Sequence, residues 1–301
     1  MFSMPELPEV ETIARDLDRL MQGARIVGFK VMNERTRRAR PFLEPAENKI
    51  RKMIVGKKVM KVFRRAKMLV VDLGKKRLLI HLKMTGQLVF KPKKGKTVAG
   101  GHPIPAVSGA GVGAGPDLPN RFTRAIVSLA AGDLYFNDVR RFGWMKLLDK
   151  SEFESLSDDL GVEPLSPDFT LAHFMKIMAK KRKSPVKPAL LDQKYITGIG
   201  NIYADEALFR ARIRPERPVA TLKPQEIRKL RQAIRAVLNL SIKYRGTSFS
   251  DYRDGRGNPG GFSKRLKVYG RAGKACFVCR RPIRKTRLGG RGTHWCDNCQ
   301  K

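Results

Sequence analysis

The sequence predicts an α+β multidomain protein: a strand-rich N-terminal domain, a mainly helical middle and a small metal-binding finger at the end. Three observations predict it. Short β-branched and apolar runs recur through the first 150 residues, helical periodicity takes over beyond Pro167, and all four cysteines fall between Cys276 and Cys299. The chain has 301 residues, enough for two ordinary domains and an appendage, because single cores stop growing before that length.

The first element is a helix. After Pro8, the apolar residues Val10, Ile13, Leu17, Leu20 and Met21 recur at helical spacing, with Glu9 and Glu11 in the first turn and Gly23 past the end. From Arg25 to Phe90 the period shortens, and the runs 25–32, 57–63, 68–73 and 77–82 read as strands of a sheet or sandwich. Residues 91–119 are dominated by Gly, Ala, Pro and Val without an amphipathic period, which predicts a flexible surface insertion. Strands resume at 125–129, 134–137 and 144–148 and close a first domain over 1–150.

A second domain, 151–265, follows. One helical stripe contains Phe174, Ile177 and Met178, and another contains Ile227, Leu230, Ile234, Val237 and Leu238. Between them, Thr197-Gly-Ile-Gly-Asn-Ile-Tyr203 leads into a helix over 202–211. Glycine before a helix start offers close-approaching amides to a phosphate, and it also serves a plain turn.

The third part, 266–301, is the finger. Cys276-x2-Cys279, sixteen intervening residues and Cys296-x2-Cys299 place two thiolate pairs on two turns, the spacing of a tetrahedral Zn2+ site. His294 lies between the pairs, but four cysteines already fill such a site. Arg280, Arg281, Arg284, Lys285, Arg287 and Arg291 make the intervening stretch a basic hairpin suited to phosphate.

Charge points the same way. Lys and Arg number 63 against 27 acidic residues, a formal net charge of +36, and that balance calls for a polyanionic partner. No apolar run reaches the ~20 residues of a membrane span, and no basic-then-apolar secretory leader opens the chain. A soluble, cytoplasmic, nucleoid-associated protein without a membrane partner is expected.

The opening Met4-Pro-Glu-Leu-Pro-Glu-Val-Glu-Thr12 carries a more specific signal. In order along the chain come Arg65-Ala-Lys67, His81-Leu-Lys-Met-Thr-Gly86, Asn137-Asp-Val-Arg-Arg-Phe-Gly143, Leu190-Leu-Asp-Gln193, Thr197 to Glu206, Val268-Tyr-Gly-Arg271 and Arg291-Gly-Thr-His-Trp-Cys296. With these motifs the chain resembles the formamidopyrimidine-DNA glycosylase family from Met4 to its end, the insertion excepted.

The resemblance implies an N-terminal β-sandwich with flanking helices, a helix-two-turn-helix domain and a structural zinc finger holding one Zn2+ on Cys276, Cys279, Cys296 and Cys299. It also implies a monomer acting on damaged double-stranded DNA. The Pro5 nitrogen would attack C1′ of the damaged nucleotide, with Glu6 as general acid/base at the sugar. The physical logic agrees: an α-amine titrates near ~8 against ~10.4 for lysine, so more of it is nucleophilic at neutral pH.

An isolated Pro-Glu would be an ordinary helix lead-in; the later motifs turn that reading around. By the same resemblance Lys67 contacts DNA at the lesion, while Asn201 and Arg291 clamp phosphates. Met84, Arg140 and Phe142 fill the hole left by the flipped nucleotide. The stretch 244–262 corresponds to a loop covering the damaged base.

The chemistry requires Pro5 to be the terminal residue. Phe2 is too bulky to favour removal of Met1, so translation is expected to start at Met4, with Met4 then cleaved. Oxidised purines are the expected lesions. The alternatives are oxidised pyrimidines, as in the endonuclease VIII group, and a non-catalytic damage binder whose amine is blocked by residues 1–3.

Overall fold

A computed structural model describes residues 4–32, 42–103, 117–247 and 260–301. They divide into two compact units, Met1–Ser157 with Arg245–Gly261, and Asp158–Tyr244 with Phe262–Lys301.

The first unit opens with α1 (Leu7–Met21), whose Val10, Ile13, Ala14, Leu17 and Met21 form a stripe that is fully buried. Its N-terminus is capped from within, because Glu9 Oε2 accepts the Glu6 N–H at 3.0 Å. Then follow β1 (Ile26–Val31), β2 (Leu43–Glu44), α2 (Glu47–Ile54), β3 (Lys61–Arg65), β4 (Met68–Asp72) and β5 (Lys76–His81). β6 (Gly86–Pro92), β7 (Val98–Gly101), β8 (Thr123–Leu129), β9 (Gly132–Asp138), β10 (Trp144–Asp149) and α3 (Lys150–Asp158) complete it.

The strands form two five-stranded sheets, ordered β1-β8-β9-β6-β7 and β2-β10-β5-β4-β3. Every pairing is antiparallel except the short parallel contact of β10 with β2. Side chains from both sheets and from α1 and α2 share one core, among them Ile13, Ile54, Leu78, Leu88, Phe136 and Met145. This is the expected sandwich with flanking helices.

Several elements depart from the sequence-based expectation, with β2, β6 and α3 among those not set out there, and two departures have a clear physical reason. α2 gives no periodic signal, since its eight residues offer only the pair Ile50 and Ile54 to the core and the rest of it is charged or exposed. The Gly-rich segment is not wholly an insertion: Lys91 and Pro92 end β6, and Val98–Gly101 pairs with that strand as β7. Glycines suit β7 because it runs tightly against α1, where a Cβ on Gly100 would stand 2.6 Å from Ile13 Cγ1. Residues 104–116 of that segment lie outside the described residues.

The second unit is helical with a small finger. α4 (Leu171–Lys180) is capped by Thr170, whose hydroxyl accepts the His173 N–H at 3.1 Å. α5 (Val186–Leu191), α6 (Asn201–Ala211) and α7 (Pro224–Lys243) follow. α6 packs on α7, where the Tyr203 hydroxyl and Ser241 Oγ share a buried hydrogen bond of 2.6 Å.

The finger contributes the hairpin β11 (Arg284–Leu288) and β12 (Arg291–Trp295). Phe209 of α6 joins Val268, Cys276, Ile283 and Cys296 in a small apolar cluster beneath it. Glu206 of α6 accepts the backbone N–H groups of Lys267, Val268 and Tyr269 at 2.9–3.0 Å, so the finger's lead-in is pinned to the helix. Burial pushes the Glu206 carboxyl up, against the pull of those amides.

Candidate functional site

The first group of expected residues lies at the start of α1. Pro5 and Glu6 are both buried, with Glu6 at 3 % exposure. Glu9, one turn on, is also buried and divides its carboxylate: Oε2 takes the Glu6 N–H and Oε1 takes the Thr247 N–H at 2.7 Å. Asp16 on the same helix pairs with Arg245. α1 therefore holds the chain on the N-terminal side of residues 248–259, a stretch of the expected lesion-covering loop that falls outside the described residues.

Lys67 occupies the tight turn between β3 and β4, beside Ala66 in the left-handed region at φ 54°. Arg64 ties that turn to α1: its guanidinium donates to Ala66 O at 2.9 Å and pairs with Glu11 at 3.0 Å. Burial raises the Glu11 carboxyl, but the Arg64 and Arg15 guanidinia prevail and hold it below the usual range.

The second group gathers on two turns. Met84 sits in the turn joining β5 to β6, and Arg140 and Phe142 in the turn after β9. Arg140 Nη1 lies 3.5 Å from Met84 Sδ, and its guanidinium stacks 4.6 Å from the Phe142 ring centroid. Phe142 is 40 % exposed. Two turns whose residues Met84 and Arg140 are 56 positions apart in the chain thus contribute to one cluster.

Both turns are tightly built. In the first, Lys83 adopts φ 51° and gives its N–H to His81 Nδ1 at 3.0 Å, which leaves the neutral ring's proton on Nε2. Burial, then the charges of Lys83 and Lys67, pushes the His81 pKa down to about 3. Gly86 closes the turn against Leu82, whose carbonyl oxygen would lie 2.4 Å from any Cβ. In the second turn Arg141 takes φ 59°.

The third group belongs to the second unit. Asn201, the first residue of α6, donates from Nδ2 to Gly292 O at 2.9 Å, next to the exposed Arg291 at the start of β12. Lys187 of α5, entirely buried, reaches the same carbonyl at 3.0 Å, Thr293 Oγ1 at 2.9 Å and the buried Asp205 at 2.6 Å. Asp205 in turn receives the His294 N–H at 2.8 Å. A buried Lys–Asp pair hydrogen-bonded to Gly292, Thr293 and the His294 N–H holds the backbone that carries Arg291 beside Asn201.

The fourth group is the cysteine cluster. Cys276, Cys279, Cys296 and Cys299 bring their Sγ atoms within 4.8 Å of one another, with 3.9 Å between Cys276 and Cys299 and 3.4 Å between Cys279 and Cys296. A tetrahedron with Zn–S bonds of about 2.3 Å has S–S edges of about 3.8 Å. The donor set and its size fit zinc. His294 is turned to Asp205 and is no part of the cluster.

Sequence reasoning assigns no role to His81, Thr85, Asp138 and Asp205, although its motifs contain them, and it passes over Lys187. Each acts through a partner 50 or more positions away or through a backbone bend, and neither has a sequence period.

Among the described residues, no helix is long and apolar enough to cross a membrane. Three family profiles match in order: the formamidopyrimidine-DNA glycosylase N-terminal domain over 4–145, the H2TH domain of the same glycosylase over 160–253, and the zinc finger found in FPG and IleRS over 273–301. The chain is 41 % identical over 302 residues to the formamidopyrimidine-DNA glycosylase of Pelotomaculum thermopropionicum, covering 99 % of each. It is 42 % identical to that of Moorella thermoacetica over 94 % of this chain and 95 % of the relative. Among solved structures, the MutM (FPG) protein of Thermus thermophilus superimposes with a TM-score of 0.79 at 36 % identity over 98 % of both chains. A mutant FPG of Lactococcus lactis in complex with Fapy-dG-containing DNA gives 0.81 at 31 % identity, over 99 % of this chain and 100 % of that one.

Proposed function

The chain belongs to the formamidopyrimidine-DNA glycosylase family of base-excision repair enzymes, and from that premise we propose that it removes oxidised purines from duplex DNA and cleaves the resulting abasic site through Pro5. The proposed lesions are 8-oxoguanine and ring-opened formamidopyrimidines. Support for the purine class comes from the opening motif; the Lactococcus relative has been solved both with Fapy-dG-containing DNA and with oxidised-pyrimidine-containing DNA.

The reading is carried by one observation, the contact of Met84, Arg140 and Phe142 in a single cluster. An adaptable thioether, a hydrogen-bonding guanidinium and an exposed ring suit the space vacated when a nucleotide leaves the stack.

In the proposed reaction the Pro5 amine forms a bond to C1′ as the glycosidic bond breaks, and the departing base takes the proton that the proline nitrogen gives up. Glu6 protonates the ring oxygen, the sugar opens, and the secondary amine of proline becomes an iminium. Loss of a C2′ proton expels the 3′ phosphate, and a second elimination expels the 5′ phosphate. Lys67 contacts DNA at the lesion, and Asn201 and Arg291 clamp phosphates.

The amine must be free, so Pro5 is the first residue of the active protein. One Zn2+ on the four cysteines would supply folding energy to the finger and take no part in the chemistry. We read the enzyme as a monomer working on chromosomal DNA in the cytoplasm.

Borohydride trapping on a duplex with 8-oxoguanine opposite cytosine tests the proposal, with Pro5→Gly in parallel and the N-terminal residue read by mass. A wild-type adduct with base release supports it. An adduct found only on oxidised-pyrimidine duplexes would shift the substrate, and no adduct from a chain beginning at Pro5 would end the Schiff-base reading.

A further inference from the structure

Thr85 and Asp138 link the two turns that carry the Met84, Arg140 and Phe142 cluster. Thr85 follows Met84 directly, and Asp138 ends β9 just before the turn with Arg140 and Phe142; both are 2 % exposed. The Thr85 hydroxyl donates to Asp138 Oδ1 at 2.5 Å and accepts the Arg140 N–H at 3.0 Å. Asp138 Oδ1 also lies 3.2 Å from the Arg140 N–H, and its Oδ2 accepts the Gly143 N–H at 2.6 Å.

One carboxylate therefore closes the second turn at both ends, and one hydroxyl joins it to the first. The packing leaves little slack: a Cβ on Gly143 would stand 2.6 Å from Phe136 Cζ and 3.1 Å from Asp138 Oδ2. β6 and β9 are in register at Gly86 and Asp138, so the sheet itself brings the two turns side by side.

We propose that Thr85 and Asp138 are positioning residues for strand insertion: they hold Met84, Arg140 and Phe142 as one pre-formed wedge that enters the vacated stack. This rests on the void-filling role given to that cluster above. An inserting group must keep its geometry while bases press on it, and side chains on two turns do so only if their backbones are locked together. The sheet register sets the distance between the turns, and the Thr85–Asp138–Arg140 hydrogen bonds set their mutual angle. Neither residue needs to touch DNA.

The test uses the full chain and a duplex carrying a tetrahydrofuran abasic analogue, with 2-aminopurine beside the orphaned base on the complementary strand. Wedge insertion unstacks the probe and raises its fluorescence. Thr85→Val keeps shape but removes the hydroxyl, Thr85→Ser restores it, and Asp138→Asn must turn its NH2 group to the N–H of either Gly143 or Arg140. Cleavage of an abasic site in a single-stranded oligonucleotide, which offers no stack to fill, is measured alongside.

The expected result is that Thr85→Val and Asp138→Asn lose at least half of the fluorescence rise and about tenfold in kcat on duplex lesions. Thr85→Ser should behave as wild type, and all three should cleave the single strand normally. Met84→Ala and Phe142→Ala separate the void-filling role from the positioning role. If they leave the fluorescence unchanged, the void-filling role fails and the proposal falls with it. If they abolish it while Thr85→Val does not, the positioning role alone is overturned. Equal loss on single-stranded and duplex substrates would likewise overturn it, as damage to the enzyme in general; should Asp138→Asn not fold, Thr85→Val and Thr85→Ser decide.

Discussion

Glu9 Oε1 accepts the backbone N–H of Thr247 at 2.7 Å, while the other oxygen of the same carboxylate caps the helix that begins just after Pro5 and Glu6. A single buried carboxylate thus serves two backbone donors 241 positions apart in the chain, residues 6 and 247. In Glu9→Gln an amide N–H must face one of these donors and leave it unsatisfied. Denaturant unfolding should show a loss of about 1–3 kcal/mol, and a variant as stable as wild type would contradict this account of the helix start.

Lys187 and Asp205 offer a cleaner energetic test, because both side chains are wholly buried. Lys187→Met strands a carboxylate and should cost about 3–5 kcal/mol in urea unfolding, whereas Lys187→Met combined with Asp205→Leu should recover much of that loss. A double variant no better than the single one would mean that the outer hydrogen bonds to Gly292, Thr293 and the His294 N–H, not the charge pair, carry the stability.

The finger should depend on metal. Elemental analysis is expected to return one zinc per chain, and stripping it with a thiol-reactive mercurial should abolish hydrogen-exchange protection of β11 and β12 while leaving β8 and β9 protected. Loss of protection in the sandwich as well would show that the metal supports more than its own cluster.

His81 carries a pH signature. Its folded value of about 3 lies below the ~6.5 of an unfolded histidine. The sign follows: its contribution is complete above pH ~6.5 and is lost as the pH falls toward the folded value, because only the unfolded chain takes up the proton. Wild type should therefore lose stability faster than His81→Asn between about pH 6.5 and 4, and the histidine NMR signals should keep the Nε2–H form over that range. A midpoint near 6 for this ring would refute the neutral state.

Glu6→Gln should abolish the borohydride-trapped Schiff base while retaining lesion binding within a few-fold, measured by gel shift on the tetrahydrofuran duplex. That binding should weaken steeply with salt, because each neutralised phosphate releases counterions. A flat salt response would exclude phosphate clamping by Asn201 and Arg291.

Much of this is legible in the sequence because it is local. The buried stripe of α1 follows from apolar residues three and four apart, and the metal cluster follows from two Cys-x2-Cys turns. The strand runs of the sandwich agree with the observed elements within a few residues. α2 escapes because two buried isoleucines in eight residues make no period, and β7 because its glycines, which the close approach to α1 requires, read as breakers.

The pairings belong to the tertiary structure: Thr85 with Asp138, Lys187 with Asp205, Glu9 with Thr247, and the meeting of Met84 with Arg140 and Phe142. Sequence suffices for which faces are buried and which residue types are available for chemistry, since periodicity and spacing report burial along one element. Which polar group meets which depends on strand register and on turns bent into the left-handed region, and those are set by the packing of the whole unit.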